Sequence, residues 1–372
     1  MAERFATQLG MSVLVIEKRD HIAGNMYDYR DENGILVHKY GPHLFRTSSD
    51  QVKDYISRFT DWHPYEHRVL ANINDVLVPV PFNLTSLEKL LPEHHADLSQ
   101  RLIGCFGMDR KVPVSALRRH EDERLRWLGE FIFENIYLNY TVKQWGDKPE
   151  NLDFETITAR VPVHISFDDR YFQETHQALP RDGYTAMFAR MLDHPLITVR
   201  LNTDALSLLT PDQESKRILL DGTPFTGQIV YTGPLDELFG YCFGELPYRS
   251  LRFDLEAHDT DFYQPTGTVN YPNTERFTRI TEFKHMMREK PARTTIMKEY
   301  PQEYDRTDPA KNVPYYPIPK DSSAELYARY AELAQGFENL TVLGRLAEYR
   351  YYDMNNIILH SLEVFDEKFR RT

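Results

Sequence analysis

The chain has 372 residues, 41% of them hydrophobic and 27% charged, which supplies core material for two or three domains and excludes a disordered protein. Its formal net charge of −12 excludes a general nucleic-acid binder, whose footprint must neutralise phosphates, but leaves room for a small anion held by a few local arginines. No apolar run approaches the ~18 residues of a membrane span, no signal peptide precedes the first elements, and Cys105 and Cys242 match no metal or redox spacing, so the chain reads as a soluble cytoplasmic protein with buried free thiols and no metal site.

In chain order, Met1 to Leu9 reads as a helix stopped by Gly10. Ser12 to Ile16 reads as a short buried strand ending in Glu17. In a dinucleotide-binding βαβ unit the second strand ends on an acidic residue that bonds a ribose hydroxyl; many strand-end glutamates are only solvated. The Gly-rich turn that would precede the helix is absent from the sequence. Lys18 and the loop Ala23-Gly24-Asn25 offer a place where phosphate can approach backbone. A strand at Ile35 to Val37 leads to a second turn-rich cluster, Gly41-Pro42-His43, with Arg46 close behind. Val76 to Phe82 carries two prolines and therefore reads as an edge strand or a domain crossing.

Helical sequence follows from Leu84. Ser115 to Tyr140 places Leu125, Leu128, Ile132 and Ile136 on one helical face, and Thr141 to Gly146 closes this helical domain. Trp145 beside a glycine is either a hydrophobic plug or a flat surface for a ligand. Residues 147–160 carry no strong pattern and read as a mobile connection. A helix at Thr185 to Leu192 and strands at Ile197 to Leu201 and Ile218 to Leu220 come next. The strand Gln228 to Thr232 ends at Gly233-Pro234, where backbone can lie against a flat ring. Alternation from Leu251 to Glu299 predicts an antiparallel sheet, with Arg279 inside a strand and either solvated or paired with Glu282 or Glu299. After the rigid Pro314-Tyr315-Tyr316-Pro317, a helix at Ser322 to Gly336 returns the chain to a buried strand, Leu340 to Leu343. Gly344 then precedes Arg345, Tyr349, Arg350, Tyr351, Tyr352 and Asp353, a dense polar and aromatic set just past a strand end, where open α/β sheets bind their ligands.

No G-x-S-x-G elbow, H-E-x-x-H or Walker loop is present. What remains is half a dinucleotide fingerprint, isolated arginines suited to clamping phosphate, and many tyrosines, so the chemistry would belong to a cofactor.

The segments VLVIEKRDHIAGN, HKYGPHLF, YTVKQWG, RVPV…DDRYF, IVYTGP, FTRITEFKH, KEYP, PYYP and LGRLAEYRYYDM, running from Val13 to Met354, resemble the bacterial UDP-galactopyranose mutase family. The resemblance implies an α/β class with three parts: a discontinuous Rossmann-like FAD-binding domain (1–66, 186–232 and 325–372), an inserted helical domain (84–150) and an antiparallel β-sheet domain (67–83, 151–185 and 233–324). It implies reduced FAD as cofactor, a UDP-sugar as substrate and a homodimer. It also implies a reaction: flavin N5 attacks the anomeric carbon, UDP leaves, and a flavin–sugar iminium opens and recloses on another hydroxyl with no net redox change. By motif match, Arg160, on a lid loop, and Arg279 stabilise the diphosphate, with Tyr316 and Tyr351 beside them. Tyr171 matches the ring that stacks on uracil, and Tyr140 and Trp145 match the cleft wall. His43, Arg345 and Asp353 match positions around the flavin, Asp353 on the substrate side. Glu17 matches the carboxylate on the adenosine ribose, with Lys18, Gly24, Asn25, Gly233 and Gly344 as further cofactor positions.

Three departures accompany the resemblance. The strand and Gly-rich loop that hold the pyrophosphate are missing, which implies weak FAD binding by this polypeptide. Arg46 stands where the family usually has His, which implies reach towards a polar substituent such as an acylamino group. His164 stands where a second Arg often occurs. Two other readings stay open: an FAD amine-oxidase-like oxidoreductase, which needs a hydride donor rather than a diphosphate clamp, and a non-catalytic sugar-nucleotide-binding remnant.

Overall fold

The computed structural model describes residues 1–154, 158 and 161–370. The N-terminal helix, Ala2–Leu9, ends where Gly10 takes a left-handed φ of 63° and its N–H returns to the Phe5 carbonyl. The next strand, Val13–Ile16, pairs in parallel with Ile197–Arg200, and Ile229–Tyr231 pairs in parallel with Leu340–Val342. Parallel pairs need crossovers, and the helices Tyr184–Leu192 and Asp321–Gln335 lead into the later strand of each pair. The C-terminal helix, Met354–Lys368, folds back onto the first one. Phe5 meets Phe365 and Phe369 at 5.3 and 4.8 Å, and Arg4 bonds the Leu362 carbonyl at 2.8 Å and Asp366 at 2.5 Å.

A seven-stranded sheet runs in the order Tyr316–Pro317, Tyr248–His258, Thr294–Glu303, Arg279–Glu282, Thr268–Asn270, Val69–Ile73, Val76–Val80. The proline-bearing strand lies at the edge, where its missing N–H breaks no ladder. The sheet is not wholly antiparallel as expected: Thr268–Asn270 pairs in parallel with Val69–Ile73, because the chain reaches one from the other through a long excursion rather than a hairpin. The long ladder sets Arg279 directly opposite Glu299, which in turn lies opposite Phe253.

The helical part departs further from its sequence reading. In place of one helix over Ser115 to Tyr140 there are Val114–Arg118, Glu123–Ile132, a π-helical segment Phe133–Leu138 and Asn139–Trp145. The break comes at Asp122, whose carboxylate caps the N–H groups of Arg124 and Leu125. The register still buries Leu125, Leu128, Ile132 and Ile136 with Leu98, Leu102 and Leu117. Both cysteines are exposed, not buried. Leu98 and Leu102 define the packed face of His95–Phe106, leaving Cys105 outside it, and Cys242 lies on a turn between Gly240 and Gly244.

Gly129 marks a close helix approach: a Cβ there would sit 2.6 Å from the Arg118 nitrogen and 2.8 Å from the Leu117 carbonyl carbon. Gly129→Ala is expected to lose about 2 kcal/mol net, since the backbone clash outweighs the gain in helix propensity. Urea unfolding checks this, and a more stable variant would contradict it. No helix among the described residues is long and apolar enough to cross a membrane.

Candidate functional site

A cavity of 1130 Å³ opens where the sheet, the Asn139–Trp145 helix and the segment after Leu340–Val342 converge. Tyr140, Trp145, Tyr171, Arg279, Tyr316, Arg345, Tyr351 and Asp353 all line it, together with Asn25, His43 and Arg46. Residues more than 200 positions apart are thus brought to one wall. Arg160 lies outside the described residues.

Arg279 opens its strand and bonds the Glu299 carboxylate at 2.9 Å. Its Nε is buried and has no hydrogen-bond partner among the described residues, so one donor is left for a ligand. Burial disfavours the charge, but Glu299, Tyr140 and Tyr316 outweigh it and hold the guanidinium protonated well beyond its ordinary range. Glu299 is almost fully buried and accepts this arginine, whereas Glu282 is taken up by the Tyr263 and Gln264 N–H groups and Thr294. Of the two partners left open by the sequence, the register selects Glu299.

Tyr316 and Tyr351 lie ring to ring at 6.3 Å and 29°, with the Arg345 guanidinium 4.8 Å from the Tyr351 ring. Arg345 is fixed by the carbonyls of Tyr352, at 2.8 Å, and Tyr315. Burial raises the Tyr316 phenol, which therefore stays a donor. Tyr171 donates its N–H to the His67 carbonyl at 2.8 Å, and its hydroxyl is pushed up to about 12, first by burial and then by Tyr140. The helix bearing Tyr140 and Trp145 is tied to the sheet by Lys143, whose ammonium reaches the carbonyls of Tyr271, Glu275 and Phe277. Burial pushes that lysine down to about 8.

His43 donates Nδ1–H to the Gly41 carbonyl at 2.8 Å, and its backbone N–H bonds His38 Nδ1 at 2.9 Å. Burial, then the neighbouring His38, drives His43 down to about 3, so a neutral ring faces the cavity. Arg46 is already engaged: its guanidinium pairs with Glu174 and, at 2.8 Å, with Asp353, and stacks 4.1 Å from Phe172. It can meet a substituent only by sharing one of those pairs.

The remaining candidates stand back from the cavity. Glu17 follows its strand and accepts the Arg19 N–H at 2.9 Å; Lys18 is exposed beside it. Gly24 sits in a turn where Ala23 and Gly24 both have positive φ, 72° and 55°. Gly344 takes φ 112° and bonds Glu348. At Gly233 a Cβ would lie 2.6 Å from the Tyr231 hydroxyl. His164 is buried in the Val163–Ile165 strand. Sequence reasoning missed Arg19, which reaches Asn25 at 2.8 Å, stacks on Tyr40 at 4.4 Å and leaves a buried Nη1 without a partner among the described residues. Its position two residues past the strand-end glutamate was the available signal.

The UDP-galactopyranose mutase family profile matches residues 135–351, and that of the NAD(P)-binding Rossmann-like domain matches residues 1–59. The UDP-galactopyranose mutase of Mycoplasma pneumoniae is 37% identical over 361 residues, 95% of this chain and 90% of the relative. The chain belongs to the UDP-galactopyranose mutase family. A dTDP-fucopyranose mutase of Escherichia coli is 30% identical over 97% of this chain and 93% of its own length. The crystal structure of a reduced UDP-galactopyranose mutase superposes with a TM-score of 0.70 at 16% identity, covering 100% of this chain and 93% of that one, a likeness of fold. Within this family framework the orphaned Arg19 Nη1, the positive-φ turn at Ala23-Gly24 and the neutral His43 fit a flavin-type dinucleotide: a cation donor for its phosphates, backbone free to approach, and an uncharged imidazole for its ring.

Proposed function

We propose that this chain interconverts the pyranose and furanose forms of UDP-galactose, or of a closely related UDP-hexose such as an N-acetylated one, with reduced FAD as cofactor and no net redox change. The observation that carries this reading is Arg279, locked opposite Glu299 with a free buried Nε, facing Tyr316, Tyr351 and Arg345 across one cavity. Such a cluster binds a diphosphate and suits its departure better than it suits a hydride donor, which disfavours the amine-oxidase-like reading.

The roles follow from chemistry. As the bond between the anomeric carbon and the diphosphate breaks, negative charge grows on the phosphate oxygens. Arg279 meets that charge, and the Tyr316 phenol, held protonated by burial, donates to it with Tyr351 alongside. Arg160 joins them by motif. Tyr171 offers the uracil a ring, and Tyr140 and Trp145 exclude water from the sugar. Glu17, Lys18, Arg19, Gly24, Asn25, His43, Gly344 and Arg345 would hold FAD, whose chemistry when bound is to offer an electron-rich nucleophile to the anomeric carbon. The 1–66, 186–232 and 325–372 segments form the cofactor domain in this reading, and the protein works in the cytoplasm as a homodimer supplying furanose donors for cell-surface polysaccharide.

Visible absorption after FAD addition and desalting tests the cofactor assignment. A retained flavin band that UDP perturbs is expected; a protein that stays colourless and shows no response to UDP would overturn it. Arg46→His is expected to shift sugar preference by about tenfold, because it frees Glu174 and Asp353 from their shared partner. Competition among UDP-hexoses, with a dTDP-hexose included, checks this; unchanged preference would count against it.

A further inference from the structure

His67 belongs to none of the roles above, yet it lines the cavity with only 5% of its surface exposed. The Tyr65 hydroxyl lies 3.1 Å from its Nδ1. That hydroxyl occupies space opened by Gly267, where a Cβ would come within 2.6 Å of it. Burial raises the Tyr65 phenol, which stays protonated and can donate to Nδ1, its one side-chain hydrogen-bond partner among the described residues. Burial, then the positive charge of Arg279, pushes His67 down to about 3, and the ring stays neutral. A neutral imidazole that accepts at Nδ1 carries its hydrogen on Nε2. Nε2 has no protein partner among the described residues. The ring is held by Tyr171, edge-on at 5.9 Å, and by Phe172, near-parallel at 6.1 Å, and its backbone carbonyl accepts the Tyr171 N–H.

We infer that His67 is a neutral hydrogen-bond donor, through Nε2–H, to the phosphate oxygens of the nucleotide sugar held beside Arg279, and that Tyr65 is the positioning residue that fixes its tautomer. This rests on the mutase reading of the cavity. A further cation beside Arg279, Arg345 and the motif-assigned Arg160 would hold the released diphosphate more tightly still. A neutral donor adds a directed bond without adding charge. Gly267, Tyr65 and His67 thus form one relay from the sheet to the substrate.

The test uses the FAD-loaded protein with dithionite, reading kcat and KM for UDP-galactose and, separately, UDP affinity by calorimetry. His67→Leu is expected to lose about tenfold to a hundredfold in UDP affinity and kcat/KM, while His67→Gln, which keeps an amide donor, stays within about threefold of the parent. Tyr65→Phe is expected to lose several-fold, with the ¹⁵N signals of the His67 ring changing from one tautomer to a mixture. A His67→Leu variant equal to the parent, or a His67→Gln variant that falls as far as His67→Leu, overturns the inference. Should His67→Leu fail to fold, ring ¹⁵N shifts of the parent decide: a protonated Nε2 supports the inference, and a protonated Nδ1 overturns it. A parent without turnover whose UDP affinity still falls in His67→Leu would retire the mutase reading and leave the donor in place. A parent that turns over alongside an unaffected His67→Leu would retire the donor alone.

Discussion

Replacing Arg279 with alanine is expected to cut kcat by at least about a hundredfold while the chain still folds. The guanidinium stands at a fixed register opposite Glu299, with Nη2 committed at 2.9 Å and a buried Nε that has no hydrogen-bond partner among the described residues. Arg345 and Arg46, which line the same cavity, are already engaged, the first by two backbone carbonyls and the second by two carboxylates. The variant also strands Glu299, whose side chain is 3% exposed, and removing one partner of a buried pair costs about 3–5 kcal/mol. Adding Glu299→Gln to the alanine variant should therefore recover stability without recovering turnover. Denaturation and steady-state kinetics on the single and double variants separate the two effects. Near-normal turnover in Arg279→Ala would refute the role given to it.

Acid is expected to destabilise this protein steeply. Three histidines are buried neutral: His38 at about 4, His43 at about 3 and His67 at about 3, against 6.5 for a free side chain. Burial is the leading cause for each. Between those values the unfolded chain binds more protons than the folded one, so stability rises with pH across that window. The contribution is complete above about pH 7 and is lost as pH falls from about 6.5 towards 3–4. At ~1.4 kcal/mol per unit and per histidine, the three together remove on the order of 5 kcal/mol between about pH 6 and 4.5. Urea titrations across that range read the slope, and His38→Gln should flatten it by about a third. A stability that does not change over the interval would contradict the burial of neutral rings.

The elements with strong local signals were legible from the residues themselves. Gly10 ends the first helix, Val13–Ile16 is a strand, and Val76–Val80, with Pro79 inside it and Pro81 just beyond, lies at a sheet edge. Residues from several of the motif clusters meet at one cavity, to which the fold brings the ends of their elements. What escaped depends on distance in the chain. The helix break at Asp122 is a capping decision that the apolar period does not record, since the same face is buried on both sides of it. The choice of Glu299 over Glu282 is a matter of register between two strands. Gly233, expected beside the cofactor, also makes room for the Tyr231 hydroxyl, a contact the local sequence does not show. Arg46 looked free to reach a ligand, and only the fold brings Glu174 and Asp353 to it. Tyr65, His67 and Gly267 form one unit that no local pattern joins.

The most direct measurement is product analysis of UDP-galactofuranose incubated with the FAD-loaded protein, with and without dithionite. Conversion to UDP-galactopyranose that requires reduction, leaves the flavin reduced after many turnovers and disappears in Arg279→Ala is the expected result. A flavin-loaded, UDP-binding protein that leaves the furanose unchanged under reduction, or that consumes one reducing equivalent per turnover, would contradict the assignment of a mutase to this cavity.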